Sequence, residues 1–148
     1  MLPRDEAAER ALLGCLLLGA QPDFAPVVIS SHLRRRIACT IDLLRNTDWT
    51  GPETLHPRDV DAAVQVNAQR TLNALNQLWP ADASRHLGEL VAAYEAALWP
   101  EEAEIHVRRL TDIYQRCRQI LHLERELAAI RQDDFRFQLR EPYAFPQR

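Results

Sequence analysis

Histidines, cysteines, serines and paired acids are the residues of this sequence with chemistry to offer, and their spacing decides which chemistry is open. The five histidines are His32, His56, His86, His106 and His122. None falls in His-Glu-x-x-His and no Cys-x-x-Cys accompanies them, so zinc has no recognisable ligand set. Glu102 with His106, and His122 with Glu126, stand four residues apart on a common helix face. A di-iron bundle instead needs Glu-x-x-His on two helices and carboxylates from two more. Surface hydrogen bonding is the expected role of both pairs. Ser30, Ser31 and Ser84 lie outside Gly-x-Ser-x-Gly, and the first two read as caps for a helix through Leu33. Glu101-Glu102 and Asp133-Asp134 are adjacent acids expected to be exposed, the former at the positive end of a helix dipole.

Cys15, Cys39 and Cys117 are too few and too odd in number for a secreted disulfide scaffold. Each sits among apolar residues, so all three are expected to be buried thiols. All 18 basic residues are arginine. Without lysine there is no P-loop, no kinase site and no Schiff base. The expectation is therefore no enzyme, no cofactor and no tightly bound metal.

Arg34, Arg35 and Arg36 form the densest basic run. Farther on, Arg108, Arg109, Arg116, Arg118, Arg125 and Arg131 alternate with Glu104, Asp112, Glu124 and Glu126. The formal net charge is −3, so a general pull toward nucleic acid is missing. Protein-facing or solvated surface is the favoured reading. Phosphate contact by Arg34, Arg35 and Arg36 is the lesser alternative, with any nucleic-acid contact weak or indirect. Trp49, Trp79 and Trp99 each stand at a break between helices, where they seal the end of a bundle or, alternatively, anchor an interface.

Positioning any of these groups falls to helices. Apolar residues make up 47% and aromatics only 7%, so Leu, Ala, Ile and Val must build the core. Four glycines and few β-branched runs leave little for a sheet. The first helix starts at Asp5 as N-cap, buries Ala8, Leu12, Cys15 and Leu16, and stops at Gly19. Gly14 inside it suggests a close helix approach. Pro22 and Pro26 punctuate a short second helix through Val27, Val28 and Ile29. Leu33, Ile37, Ile41 and Leu44 mark the next helix. Residues 46–56 read as a loop and Pro57 as the first turn of another helix. Val60, Val64, Leu72, Leu75 and Leu78 follow, with the polar stretch around Asn67 as a candidate break. Pro80 ends that helix, and Asp82 or Ser84 caps one whose stripe is Leu87, Leu90, Val91, Tyr94 and Leu98.

Pro100 opens the longest segment, residues 101–131, with Leu110, Ile113, Cys117, Ile120 and Leu127 recurring near every 3.5 residues. Its distal residues Ile120, Leu121, Leu123, Leu127 and Ile130 cover a broad arc. One face is expected to pack on the helix through Leu87, Leu90 and Tyr94, and the remainder on a second copy. From Asp133 the pattern dissolves, and Pro142 and Pro146 suggest a linker. No apolar run approaches the ~20 residues needed to span a bilayer, and the acidic opening is unlike a signal peptide. No membrane association and cytoplasmic residence are the expectation.

Leu2 to Leu18, with Pro3 ahead of Glu6-Ala7-Ala8-Glu9 and then Leu12-Leu13-Gly14, resembles the opening of DnaB-type replicative DNA helicases. His86-Leu87-Gly88-Glu89-Leu90-Val91 is similar to that family's Tyr-Leu-x-Glu-Leu segment, and Trp99-Pro100 falls where it places a helical hairpin. The resemblance covers residues 2–131 patchily and concerns only the helicase N-terminal domain. It implies a small helical bundle with a protruding hairpin, a collar that self-associates and receives primase or a loader. The C-terminal helicase-binding domain of DnaG-type primases has a similar form, and Ala8 to Leu13 resembles its Ala-Glu-Arg-x-Leu-Leu opening equally well.

The resulting expectation is an all-α protein: a small helical bundle over 1–80, then a long helical hairpin over 81–132 that completes the bundle and projects from it. Residues 133–148 form a linker or flexible tail. Its role is protein–protein interaction in DNA replication, with itself as a dimer through the hairpin and with primase, helicase or loader. A small helical DNA-binding or regulatory protein is the further alternative.

Overall fold

The computed structural model describes residues 2–45, 60–96 and 99–144, with side chains described for 2–45, 64–96 and 99–133. The elements are α1 (Glu6–Leu17), α2 (His32–Arg45), α3 (Val60–Leu78), α4 (Ala83–Ala96) and α5 (Ala103–Ala144), with 3₁₀ turns at Pro26–Val28, Pro80–Asp82 and Pro100–Glu102. No strand occurs among the described residues, and the fold is an all-α bundle. Residues 46–56, Pro57, Trp49 and Leu98, to which the sequence assigns a loop, a helix start, a bundle seal and a stripe position, lie outside the described residues. The chain divides into two units: Arg4–Tyr114, and Met1–Pro3 with Gln115–Arg148.

In the first unit α1 is the central element, packing most extensively on α4 and also on α2. Its two ends are built by the residues the sequence suggests. Asp5 Oδ1 accepts from the Ala8 amide at 3.0 Å, and Glu6 and Glu9 favour the first-turn dipole. At the other end Gly19 takes φ 100°. The Ala20 amide then reaches the Cys15 carbonyl and the Gly19 amide the Leu16 carbonyl, each at 3.0 Å. This is the paired closure that a left-handed residue after a helix permits. Leu12, Leu13, Gly14, Cys15, Leu16 and Leu17 are all buried. A helix so apolar all round must sit inside.

Around it pack Ile29 from the first 3₁₀ turn's exit, Ile37 and Ile41 of α2, Val64 and Leu75 of α3, Leu90 and Ala93 of α4, and Ala103, Val107 and Leu110 of α5. Each large side chain among them, fully buried, stabilises by roughly 1.5–3 kcal/mol relative to exposure.

Five expectations need correction. α3 is unbroken at Asn67, because Asn67 and Thr71 are buried and hydrogen-bonded while Gln65 and Gln69 stay exposed on the other side of the helix. Asn67 Nδ2 donates to the Leu17 carbonyl at 3.3 Å, and Thr71 Oγ1 donates to the Asn67 carbonyl at 2.8 Å. Leu17 O is one of the last-turn carbonyls of α1 that have no partner within the helix, so Asn67 caps α1 from outside. Ser31 does cap α2, accepting from the Arg34 amide at 3.2 Å, but Ser30 serves Glu9 instead. Cys39 is exposed, since the core face of α2 is set by Ile37, Ala38 and Ile41. On α4 the buried residues are His86, Leu90 and Ala93, which leaves Leu87, Val91 and Tyr94 outside. Finally, α5 continues to Ala144 through residues read as linker. Losing an amphipathic pattern does not end a helix; a breaker does, and the first one, Pro142, lies in the last turn.

Candidate protein-interaction surfaces

Behind the surfaces stands a buried polar framework. Glu9 follows Asp5 by four residues and precedes Leu12 by three, on the core side of α1, where it is 1% exposed. Its Oε1 accepts from Arg34 Nε at 2.8 Å, and its Oε2 from the Ser30 amide at 2.9 Å and hydroxyl at 2.6 Å. Arg34 Nη1 also reaches Glu89 Oε1 at 3.0 Å, and Arg10 Nε reaches Glu89 Oε2 at 3.4 Å. Burial alone would raise the Glu9 carboxyl, but the hydrogen bonds from Ser30 and Arg34 outweigh it and hold the group below its ordinary value. Burial likewise works to lower Arg34, and Glu9 with Glu89 and Glu6 raises it. The network ties α1 to α2 and α4.

The Arg34, Arg35 and Arg36 run, the alternative phosphate contact, is thus occupied within the chain. Arg35 Nε and Nη2 donate to the Ile29 carbonyl at 3.2 and 2.9 Å. Arg36 Nη1 bonds Asp82 Oδ2 at 2.9 Å, and its guanidinium carbon lies 4.3 Å from the ring centre of Trp79. Trp79 is partly exposed and held by this cation, whereas Trp99 is 63% exposed. Neither seals a bundle end in the manner of a core residue.

The first candidate surface is a groove between α3 and α4. Gln65, Ala68, Gln69 and Leu72 line one wall, and Leu87, Leu90, Val91 and Tyr94 the other, around about 370 Å³. Leu87 is 51% and Val91 47% exposed, a contiguous apolar surface instead of scattered single residues. The α3 wall carries amides and no charge, with Gln69 Nε2 donating to Asn73 Oδ1 at 2.9 Å alongside it.

The second surface belongs to the other unit. From Arg118 to Asp133 every residue of α5 is exposed. Ile120, Leu123, Leu127 and Ile130 are spaced three, four and three apart, which is one helix face, at 36, 56, 52 and 53% exposure. Leu121, 39% exposed, falls off this face, so the arc divides into a narrow seam and an outlier. The His122–Glu126 pair meets at 3.0 Å on the same stretch. Glu102 and His106 approach to 3.7 Å in the first unit.

Burial pushes Cys15 up to about 11, with Glu102 adding to the effect, and its Sγ faces the Trp99 carbonyl at 3.4 Å. Cys117 Sγ reaches the Pro3 carbonyl at 3.2 Å. Among the described residues no three His, Cys, Asp or Glu are grouped to hold a metal ion, and no helix is long and apolar enough to cross a membrane.

Sequence reasoning brings together the α5 residues but misses Glu9, Asn67, His86 and Glu89 as structural partners. Glu9 carried a readable signal, a charge on a face otherwise apolar. His86 did too, standing four before Leu90 and seven before Ala93. No protein-family model, curated protein or solved structure matches this chain.

Proposed function

We propose that this chain is a non-catalytic interaction module of the DNA replication machinery. It would pair with a second copy through the α5 seam and receive a replication protein, primase or loader, on the α3–α4 groove. The observation that carries the reading is the exposed stretch of α5 from Arg118 to Asp133, with four aliphatic residues aligned on one face. An aligned apolar face on a helix is stabilised by a partner that covers it. The replication assignment rests on the resemblance of Leu2 to Leu18 and of His86 to Val91 to the helicase N-terminal domain. The alternative, a primase C-terminal helicase-binding domain, rests on Ala8 to Leu13. Internal engagement of Arg34, Arg35 and Arg36 disfavours a DNA-binding protein.

Val91→Arg changes an exposed groove residue without touching the core. Size-exclusion chromatography of the chain with purified primase should give a complex that this variant loses. A complex with replicative helicase instead would support the primase-side reading. Binding to neither, or primase binding unaffected by Val91→Arg, would overturn the groove's assignment.

A further inference from the structure

His86 is fully buried on the face of α4 that also buries Leu90 and Ala93, about a quarter turn from the exposed Leu87. Its Nε2 lies 3.2 Å from Arg36 Nη1 of α2, and its Nδ1 3.0 Å from Asn76 Oδ1 of α3. A guanidinium has only donors, so Nε2 must accept. The ring proton therefore sits on Nδ1 and is donated to Asn76. One neutral imidazole joins three helices, in one tautomer. Arg36 is further fixed by Asp82 and by stacking on Trp79, while its buried Nε has no hydrogen-bond partner among the described residues. That under-satisfied guanidinium has little reserve bonding if His86 ceases to accept.

We propose that His86 is a proton-sensitive latch that holds α4 to α2 and α3 and so sets the width of the α3–α4 groove. The proposal rests on the reading of that groove as a docking face. Protonation of Nε2 turns an acceptor into a second donor and places two cations in contact. The contact between Arg36 and His86 must then open. Asn76 sits one turn beyond Leu72 on α3, and His86 is adjacent to Leu87 on α4, so both groove walls are anchored at the latch. The charges that face His86 are Arg36 from α2 and Asp82 from the 3₁₀ turn. On α4 itself, Arg85 is directed to Asp82 at 4.0 Å and Glu89 to Arg34 and Arg10; from α3 the neutral Asn76 faces it. Burial, reinforced by Arg36, holds the imidazole below its ordinary value, while Asp82 opposes them. Partner release on acidification is the consequence.

The test is a pH titration of the full chain followed by the ring nitrogens of its histidines and the methyl groups of Leu72 and Val91, using NMR. His86→Gln assigns the signal and supplies the control, since its amide can both accept from Arg36 and donate to Asn76 without titrating. The expected result is an Nδ1-protonated neutral ring at neutral pH and a midpoint below about 6.5. The Leu72 and Val91 methyls should move with that midpoint and stay fixed in His86→Gln. An Nε2-protonated neutral ring, a midpoint at or above the ordinary value, or identical methyl shifts in the variant would overturn the latch. If the variant does not fold, the wild-type tautomer and midpoint decide alone. All of this is read on the free protein, so loss of the docking reading, tested by Val91→Arg with primase, is a separate result.

Discussion

Glu9 and Arg34 show how a charge pair can be placed inside a small bundle. Both side chains are nearly inaccessible, and every carboxylate oxygen of Glu9 has a donor. Replacing one member leaves the other buried and under-paired, which is far worse than never having had the pair. Glu9→Ala should therefore destabilise by about 3 kcal/mol, read as a drop in the urea midpoint. A loss under about 0.5 kcal/mol, the range of ordinary surface changes, would contradict that account. The pH dependence follows from depressed carboxyls, Glu9 with Asp5 and Asp82, and from one depressed imidazole, His86. Glu9 has a folded value below its unfolded one, so its contribution is present above about 4.3 and is lost as pH falls through the folded value. His86 is also depressed, so in the unfolded chain it takes up its proton at higher pH. Its contribution is present above about 6.5 and declines as pH falls below it. Stability measured by urea titration across pH should thus fall in two stages, and His86→Gln should remove only the upper one. A single stage in the wild type would refute the His86 part.

At the scale of elements, polar residues settle what apolar spacing leaves open. Asn67 looked like a break in α3 because a polar run usually faces water. It is instead the outside cap of α1, and a cap between two helices leaves no trace in the spacing of either. Asn67→Ala should destabilise by about 1–2 kcal/mol, through the Leu17 carbonyl left without its donor. An unchanged urea midpoint would show that this carbonyl finds another partner. The N-cap at Asp5, the stop at Gly19, the turns opened by Pro26, Pro80 and Pro100, and the start of α5 were legible because each depends on local backbone chemistry. The rotation of α4 was not. Leu87, Leu90, Val91 and Tyr94 make a better apolar stripe than His86, Leu90 and Ala93, yet the weaker stripe is buried, because His86 has Arg36 and Asn76 to meet and Ala93 is small enough for close packing. Those partners lie 50 and 10 residues away. The exposed groove, which is half of the candidate site, exists because that choice went against hydrophobicity.

At the scale of the molecule, the described residues carry exposed apolar surface on both α4 and α5. The members of the α5 seam are exposed, and of the stripe that the spacing reads as core on α4, Leu87, Val91 and Tyr94 are exposed while Leu90 is buried. Self-association through the seam is the central claim. Leu123 and Leu127 lie at its middle, are exposed and belong to the other unit, so Leu123→Arg with Leu127→Arg should leave the Arg4–Tyr114 unit folded. Sedimentation velocity across a concentration series tests the claim most directly. The wild type should shift from monomer toward dimer as concentration rises, while the double variant stays monomeric with its near-ultraviolet dichroism unchanged. A wild type that remains monomeric throughout, or a double variant that associates as the wild type does, would contradict it.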